Sequence, residues 1–476
     1  ADRHLVSRFS YGVTPALARD VRAAGGARKW FEKQLTPGAV KEGGVTGLRG
    51  WWGPGLSYVG NSGAAALWDR QKREIEGGWE VMASYQRWAL VRRIRSRRQV
   101  LETMSEFWEN HFNVPVNGDA AFTWRTDYGM KLRAAALTSF ADLLRIATLH
   151  PAMGIYLSNA VSTKSAPNEN LGRELLELHT VGVDAGYTED HVKASARMLT
   201  GYRVDVWWPS FRAFYDTSWH DTQPVKVLGF SHANRSADGR AATLAYLSYL
   251  ARHPATVNRL ARRLCAKFVS DQPTKAIVNA VARAYVANDT AIKPTLRALV
   301  NHPDFAAGAG KKVRTPNEDY VATVRSLGIR PRKPVDDGSF ANAMYWQYSE
   351  GGQPPYEWPA PDGYPEADGA WASAGRILTS FTMHRDLAAR WWPTEGAAFP
   401  TYASMLPTMP ATLGQIIDHQ SRRMFGQLPG DAVRNGISQL LGMPLTQQLS
   451  KDEALDYWTL RGVLSSLLDS PLHLHR

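Results

Sequence analysis

Carboxylates carry the first chemistry legible in this chain. Residues 168–180 read Asn168-Glu-Asn-Leu-Gly-Arg-Glu-Leu-Leu-Glu-Leu-His-Thr180, a helix that Asn168 can cap behind Pro167 and that closes near Gly182. Helical faces recur every three to four residues, so Asn170, Arg173, Glu174 and Glu177 form one stripe, with Leu171, Leu175 and Leu178 as an apolar stripe beside it. Glu174 and Glu177 are then neighbours, roughly 5–6 Å apart at Cβ. Where solvent is excluded, their repulsion raises one carboxyl's pKa, which is how a general acid keeps its proton. Arg173 offers the plainer alternative. It is an i,i+4 partner of Glu177 and can tie the stripe into an ion-pair network on a solvated face.

Histidine supplies the second set of candidates. His111 stands in Glu106-Phe-Trp-Glu-Asn-His-Phe-Asn113, where Trp108 and Phe112 mark the buried side and Glu109 falls close to it. Glu109 and His111 are too close in sequence to share a helical face. His179 projects toward the apolar side of its helix, where a core histidine bonded to a carbonyl is expected. Trp219-His-Asp221, followed by Lys226, puts an imidazole and an acid on an aromatic loop. His111, Glu177, His179, His220 and Asp221 are donors suited to zinc, iron or manganese. None stands at metal-ligand spacing: the sequence has no His-Glu-x-x-His, no Glu-x-x-His pair and no cysteine pair, so the preferred reading carries no metal cofactor. Nucleophile-elbow, phosphate-loop and dinucleotide fingerprints are absent as well.

Those residues must be positioned mainly by helices. Apolar spacing predicts them over 15–35, 82–112, 130–149, 168–181, 188–200, 241–252, 255–269, 274–288, 292–301, 317–327, 370–390, 413–425, 431–441 and 451–468. Pro151, Pro303 and Pro471 stop the helices before them. Two stretches break the pattern. Residues 203–232 are aromatic and polar, with Arg212-Ala-Phe-Tyr215 able to form a hairpin, and residues 349–369 are rich in proline, tyrosine and glycine. Without a Gly/Ser or charged linker, the reading is mainly α: one large helical domain over 1–476, of the α/α toroid kind, with loop insertions and little β.

Composition narrows the class. Apolar residues make up 44% of the 476, an ordinary globular value. No run approaches the roughly 18 apolar residues that span a bilayer. Cys265, alone of its kind, excludes a disulfide framework and reads as a small core residue. The net charge of +12 favours acidic partners. Its only dense run, Arg92, Arg93, Arg95, Arg97 and Arg98, reads as a solvated helix face rather than a nucleic-acid surface. Seventeen tryptophans are the unusual number, with Trp51-Trp52, Trp207-Trp208 near Trp219, Trp358 near Trp371, and Trp391-Trp392. Aromatic faces in loops suit stacking on flat sugar rings.

Taken together, these motifs resemble the bacterial family catalogued as domain of unknown function 1800. The likeness runs from His4-Leu-Val-Ser-Arg8 and Gly12 through Phe107-Trp-Glu-Asn-His-Phe-Asn113, His150-Pro-Ala-Met153, Tyr156-Leu157, the 168–182 motif, Leu199-Thr-Gly-Tyr202 and His220-Asp221 with Lys226 and Leu228-Gly229. It continues through His253-Pro-Ala-Thr256, Phe268-Val-Ser-Asp271, Thr315-Pro-Asn-Glu318, Gly352-Gln-Pro-Pro355 and Pro361-Asp-Gly363. The resemblance implies an exported protein, secreted or periplasmic, with which a removed leader is compatible, and marks the 168–182 motif as the family's signature. It supplies no reaction.

The function expected is therefore a glycoside hydrolase on an envelope or environmental polysaccharide, anionic ones included. Glu174, Glu177 and Asp221 are the catalytic candidates. Asn170, Arg173, His111, His220, Trp108, Trp219, Trp358 and Trp371 are the substrate-binding ones. Two alternatives stand beside it: a metal-dependent enzyme using His111, His179 and His220 with the carboxylates, and a non-catalytic polysaccharide or envelope-binding protein.

Overall fold

A computed structural model describes residues 2–207 and 210–476; Trp208 of the tryptophan clusters lies outside the described residues. The fold is mainly α. Among the described residues, strands occur only in four two-stranded antiparallel sheets. Two of these turn the 203–232 stretch into hairpins: β1 (Tyr202–Val204) with β2 (Ala213–Tyr215), and β3 (Val225–Val227) with β4 (Phe230–His232). Among the described residues, no helix is long and apolar enough to cross a membrane.

Several helices are shorter than their apolar period, because local chemistry offers the backbone other partners. The 15–35 pattern is two helices, Pro15–Ala23 and Ala27–Gln34, split where Gly25 and Gly26 take φ of 85° and 111°. The 82–112 pattern becomes Gly78–Arg95 and Gln99–His111. At that corner Gln99 Nε2 donates to the Arg93 and Ser96 carbonyls, while Glu42 accepts from Ser96 Oγ and the Arg97 N–H. The 130–149 pattern divides at Ser139, whose hydroxyl caps Phe140–Leu149 by accepting from the Asp142 N–H. Proline begins helices as well as ending them. His150, His253 and His302 each precede a proline at the first helical position, and each accepts, through Nδ1, the N–H two residues on at 3.2 Å.

Two apolar cores result. One collects Phe9, Trp30, Phe107, Trp108, Phe140, Leu175 and Phe268; the other Tyr85, Leu90, Tyr320, Phe340, Ile417 and Leu464. The helix Gln99–His111 gives Val100, Met104, Phe107 and Trp108 to the first. Its opposite stripe, Glu102, Glu106, Glu109 and then Asn113, faces a polar seam. Glu102 pairs with Arg92 and Arg133, which hold its carboxyl below the usual range against the upward push of burial. Glu106 accepts from Tyr11 and Asn317. Glu109 accepts from Tyr85 at 2.7 Å and Arg125 at 2.9 Å. Lys267 crosses to Glu318 at 3.1 Å and Glu366 at 2.9 Å.

Two of the arginine run, Arg92 and Arg93, belong to this seam, whereas Arg97 is exposed and pairs with Asp20. Arg92 and Arg93 are each 3% exposed. Arg92 lies over the Trp88 ring, and Arg93 donates to Asn317 and to the Tyr356 hydroxyl at 2.9 Å each. Helical periodicity could not separate the two cases, since a buried guanidinium with fixed acceptors and a solvated one give the same pattern.

Candidate functional site

Asn168 caps the signature helix by accepting the Asn170 N–H, and the α-helix runs Glu169–Glu174. It then widens into a π-helical turn, Leu175–His179. Such turns concentrate at functional sites. Here the widening is held by the Thr180 hydroxyl, which donates to the Leu175 carbonyl, and by the Gly182 N–H, which reaches the Leu176 carbonyl at 2.9 Å. Gly172 sets the depth of the whole segment. A Cβ there would stand 2.7 Å from the backbone nitrogen of Ala196 in the helix Glu189–Met198. Gly172→Ala is expected to cost about 1–3 kcal/mol of stability, read as a lower denaturation midpoint, because backbone cannot step aside as a side chain can.

The extra residue in the turn re-sorts the predicted stripe. Arg173 does not bind Glu177; it makes a two-pronged contact to Glu189 at 2.7 Å on both oxygens and a longer one to Glu169. Glu177 instead accepts the Tyr187 hydroxyl at 3.1 Å. Glu174, half-buried, has no salt bridge among the described residues. Burial pushes its carboxyl above the usual range, Glu177 and Asp362 push it further, and Arg173 opposes them only partly. Asn170 is exposed at the helix start.

The 349–369 stretch is strapped to neighbouring helices and brings the Asp362 charge within reach of Glu174. Asn113 Nδ2 donates to the Trp358 and Ala360 carbonyls, Asn110 brackets Tyr364 through its N–H and carbonyl, and the Tyr156 hydroxyl donates to the Pro359 carbonyl. Gly363 is required: at φ 75° its missing Cβ would lie 2.1 Å from the Asn110 carbonyl. Tyr356, buried at φ 61°, is a strained non-glycine whose hydroxyl meets Arg93 and Glu109. Asp362, exposed, accepts the Trp358 indole N–H at 2.7 Å. Burial, together with Glu174 and Asp362, pushes the Tyr156 phenol up to about 12. On the cationic side, burial lowers Arg263 to about 10, and Arg259 donates to the Leu178 carbonyl.

Two cavities flank the strap. Beneath it, a space of about 30 Å³, room for a water-sized group, is walled by Glu106, Asn110, Lys267, Asn317 and Glu366. Beside Tyr156, a cleft of about 260 Å³ opens between Pro115, Asp119 and Ile155.

The other predicted residues are placed as follows. Trp108 is fully buried and donates to the Ala136 carbonyl, so neither ring face is free. His111 and His179 do come together, ring centroids 6.4 Å apart, but in apolar surroundings. His111 Nε2 meets the His179 carbonyl, while the expected carbonyl bond from the His179 ring is absent: neither of its nitrogens has a protein partner. Burial, aided by Arg259 and Arg263, pushes His179 down to about 3. His220 sits elsewhere, locked between the Thr200 carbonyl and Asn234. Asp221 beside it accepts the Gln223 N–H and faces Arg197 at 3.6 Å. Trp219 is covered by the Arg203 guanidinium, 3.1 Å from its ring centre. Trp371 is buried and pins the strap by donating to the Pro365 carbonyl; Trp358 is half-buried beside Tyr364. Sequence reasoning gave no site role to Asp362, Tyr156 or the seam acids Glu102 and Glu106. The acids were legible as a 102, 106, 109, 113 stripe opposite an apolar one; Asp362 reaches the site through a loop path that no periodicity encodes.

A mainly α-helical protein with a pair of carboxylates on a π-helical turn is the class these features define. The chain matches the family described as Protein of unknown function (DUF1800) over residues 4–474, and it belongs to that family. No curated protein and no solved structure matches it.

Proposed function

We propose that the protein is an exported glycoside hydrolase, with Glu174 as the general acid. The observation that carries this reading is the half-buried position of Glu174 beside Glu177 and within reach of Asp362, where burial and the two like charges push its carboxyl upward. A carboxyl kept protonated can give its proton to the glycosidic oxygen as the bond from the anomeric carbon breaks. Glu177, oriented by Tyr187, is the second carboxylate, acting on water or on the anomeric carbon according to its separation from the acid. Asp221 is left out of the pair, since Arg197 and the Gln223 N–H engage its carboxylate.

Substrate contacts fall to what the strap and turn present: the Trp358 face, Tyr156 and the adjoining cleft, whose 260 Å³ lies just under the usual small-molecule site of about 300 Å³ or more. Arg259, Arg263 and the net charge of +12 favour an anionic polysaccharide. The test is release of new reducing ends from neutral, amino and acidic polysaccharides. No release from any of them by folded protein sinks the proposal.

The pH profile offers a sharper check. Activity that needs protonated Glu174 falls as pH rises through its raised pKa, so the alkaline limb is expected above the ordinary carboxylate range. Asp362→Asn removes one like charge and keeps both catalytic carboxylates. It should move that limb to lower pH; an unmoved limb assigns the proton to another group.

A further inference from the structure

Away from the strap, three helices bring together a second set of donors. Asp319 and Thr323 lie one turn apart on Pro316–Leu327, His384 on Ala374–Ala389, and His473 on the short helix Pro471–Leu474. Asp319 Oδ1 is 3.0 Å from His384 Nε2 and 2.9 Å from His473 Nε2, and all three side chains are at most 1% exposed. The two imidazoles stand nearly at right angles, 85° between planes, each aiming Nε2 at the same oxygen. The Thr323 hydroxyl oxygen is 3.0 Å from His473 Nε2.

From this geometry we infer that Asp319, His384 and His473 form a structural divalent-metal site, with zinc as the fitting ion and the Thr323 hydroxyl as the fourth ligand. Two imidazoles and a carboxylate are the donor set that zinc accepts. The outer groups match what metal ligands need. His384 Nδ1 faces Asp469 Oδ1 at 2.8 Å, the carboxylate–histidine arrangement that fixes the tautomer and leaves Nε2 with a lone pair for the ion. The second oxygen of Asp319 accepts from Ser380 at 2.7 Å and Arg376 at 3.1 Å, leaving Oδ1 for the ion. His473 is itself held through its carbonyl by Arg314 Nε at 2.7 Å. Complete burial leaves no path for substrate, so the ion's work would be to staple the 471–474 helix onto the second core.

The test uses the full chain, produced with zinc supplied and then transferred to metal-free buffer. About one zinc per chain by mass spectrometry is expected, with an X-ray absorption shell of nitrogen and oxygen at about 2.0–2.1 Å that shows imidazole scattering. Chelation should lower Tm by about 5 °C or more, and zinc, but not magnesium, should restore it. His384→Asn and His473→Asn should each lose the ion. Retention of zinc by both variants overturns the assignment. So does wild-type protein that takes up less than about a tenth of an ion from excess zinc with an unchanged Tm, which would mean that protons alone bridge the cluster. If neither variant folds, the wild-type spectrum decides, and a shell without imidazole overturns the site. These readouts are stability and metal content, so they stand or fall apart from the hydrolase reading.

Discussion

Glu174→Gln is expected to abolish reducing-end release while leaving the protein folded, with kcat/KM falling by about 10²–10⁴-fold, the usual contribution of a positioned general acid. The fold tolerates the change because Glu174 makes no salt bridge among the described residues, and an amide removes the repulsion from Glu177 and Asp362. The loss should shrink on substrates whose leaving group departs without a proton, such as an activated aryl glycoside, because only the protonation step has been removed. Glu177→Gln is expected to remain slow on both kinds of substrate. If Glu174→Gln keeps wild-type turnover on a natural polymer, Glu174 is not the acid.

The second large effect is on stability. Glu109 and Arg125 are fully buried, 2.9 Å apart, with Tyr85 and Tyr356 on the same carboxylate. Glu109→Ala strands a guanidinium in the interior, where Arg125 Nη2 already lacks a partner. The expected loss is about 3–5 kcal/mol, read as a lower urea midpoint. Replacing both partners, Glu109→Leu with Arg125→Met, should recover a good part of that loss, because the penalty comes from the unpaired ion rather than from the pair itself. A double variant no more stable than the single one would show that the pair's geometry, and not its charge balance, holds the seam.

Much of the helical architecture was legible because long apolar stripes are local. The helices Asp431–Leu441 and Leu413–Phe425 fall where their spacing puts them. The patterns at 15–35, 82–112 and 130–149 each became two helices, since a glycine pair, a glutamine side chain and a serine cap stop the backbone without interrupting the apolar period. The hairpin at 212–215 was visible as a short alternation, and its partner strand, Tyr202–Val204, is the near edge of the same loop.

The candidate site was legible in part. The Glu174 and Glu177 turn stood out as the densest polar motif. Its π widening did not, nor did the pairing of Arg173 with Glu189, which lies sixteen residues away in sequence. Asp362 and Tyr156 meet Glu174 only through the path of the strap, and His384 and His473 meet Asp319 only through helix packing. Such meetings are long-range, and a single sequence holds no period that announces them.

The seam between the two cores also sets how this protein can change. In an apolar slab a methylene can be gained or lost and the neighbours adjust by tenths of an ångström. Along Glu102, Glu109, Lys267 and Glu318 no such gradual step exists, because each charge is buried with its counter-charge on another element. The cores are therefore free to drift residue by residue, while the layer that joins them can be rewritten only by exchanging partners together.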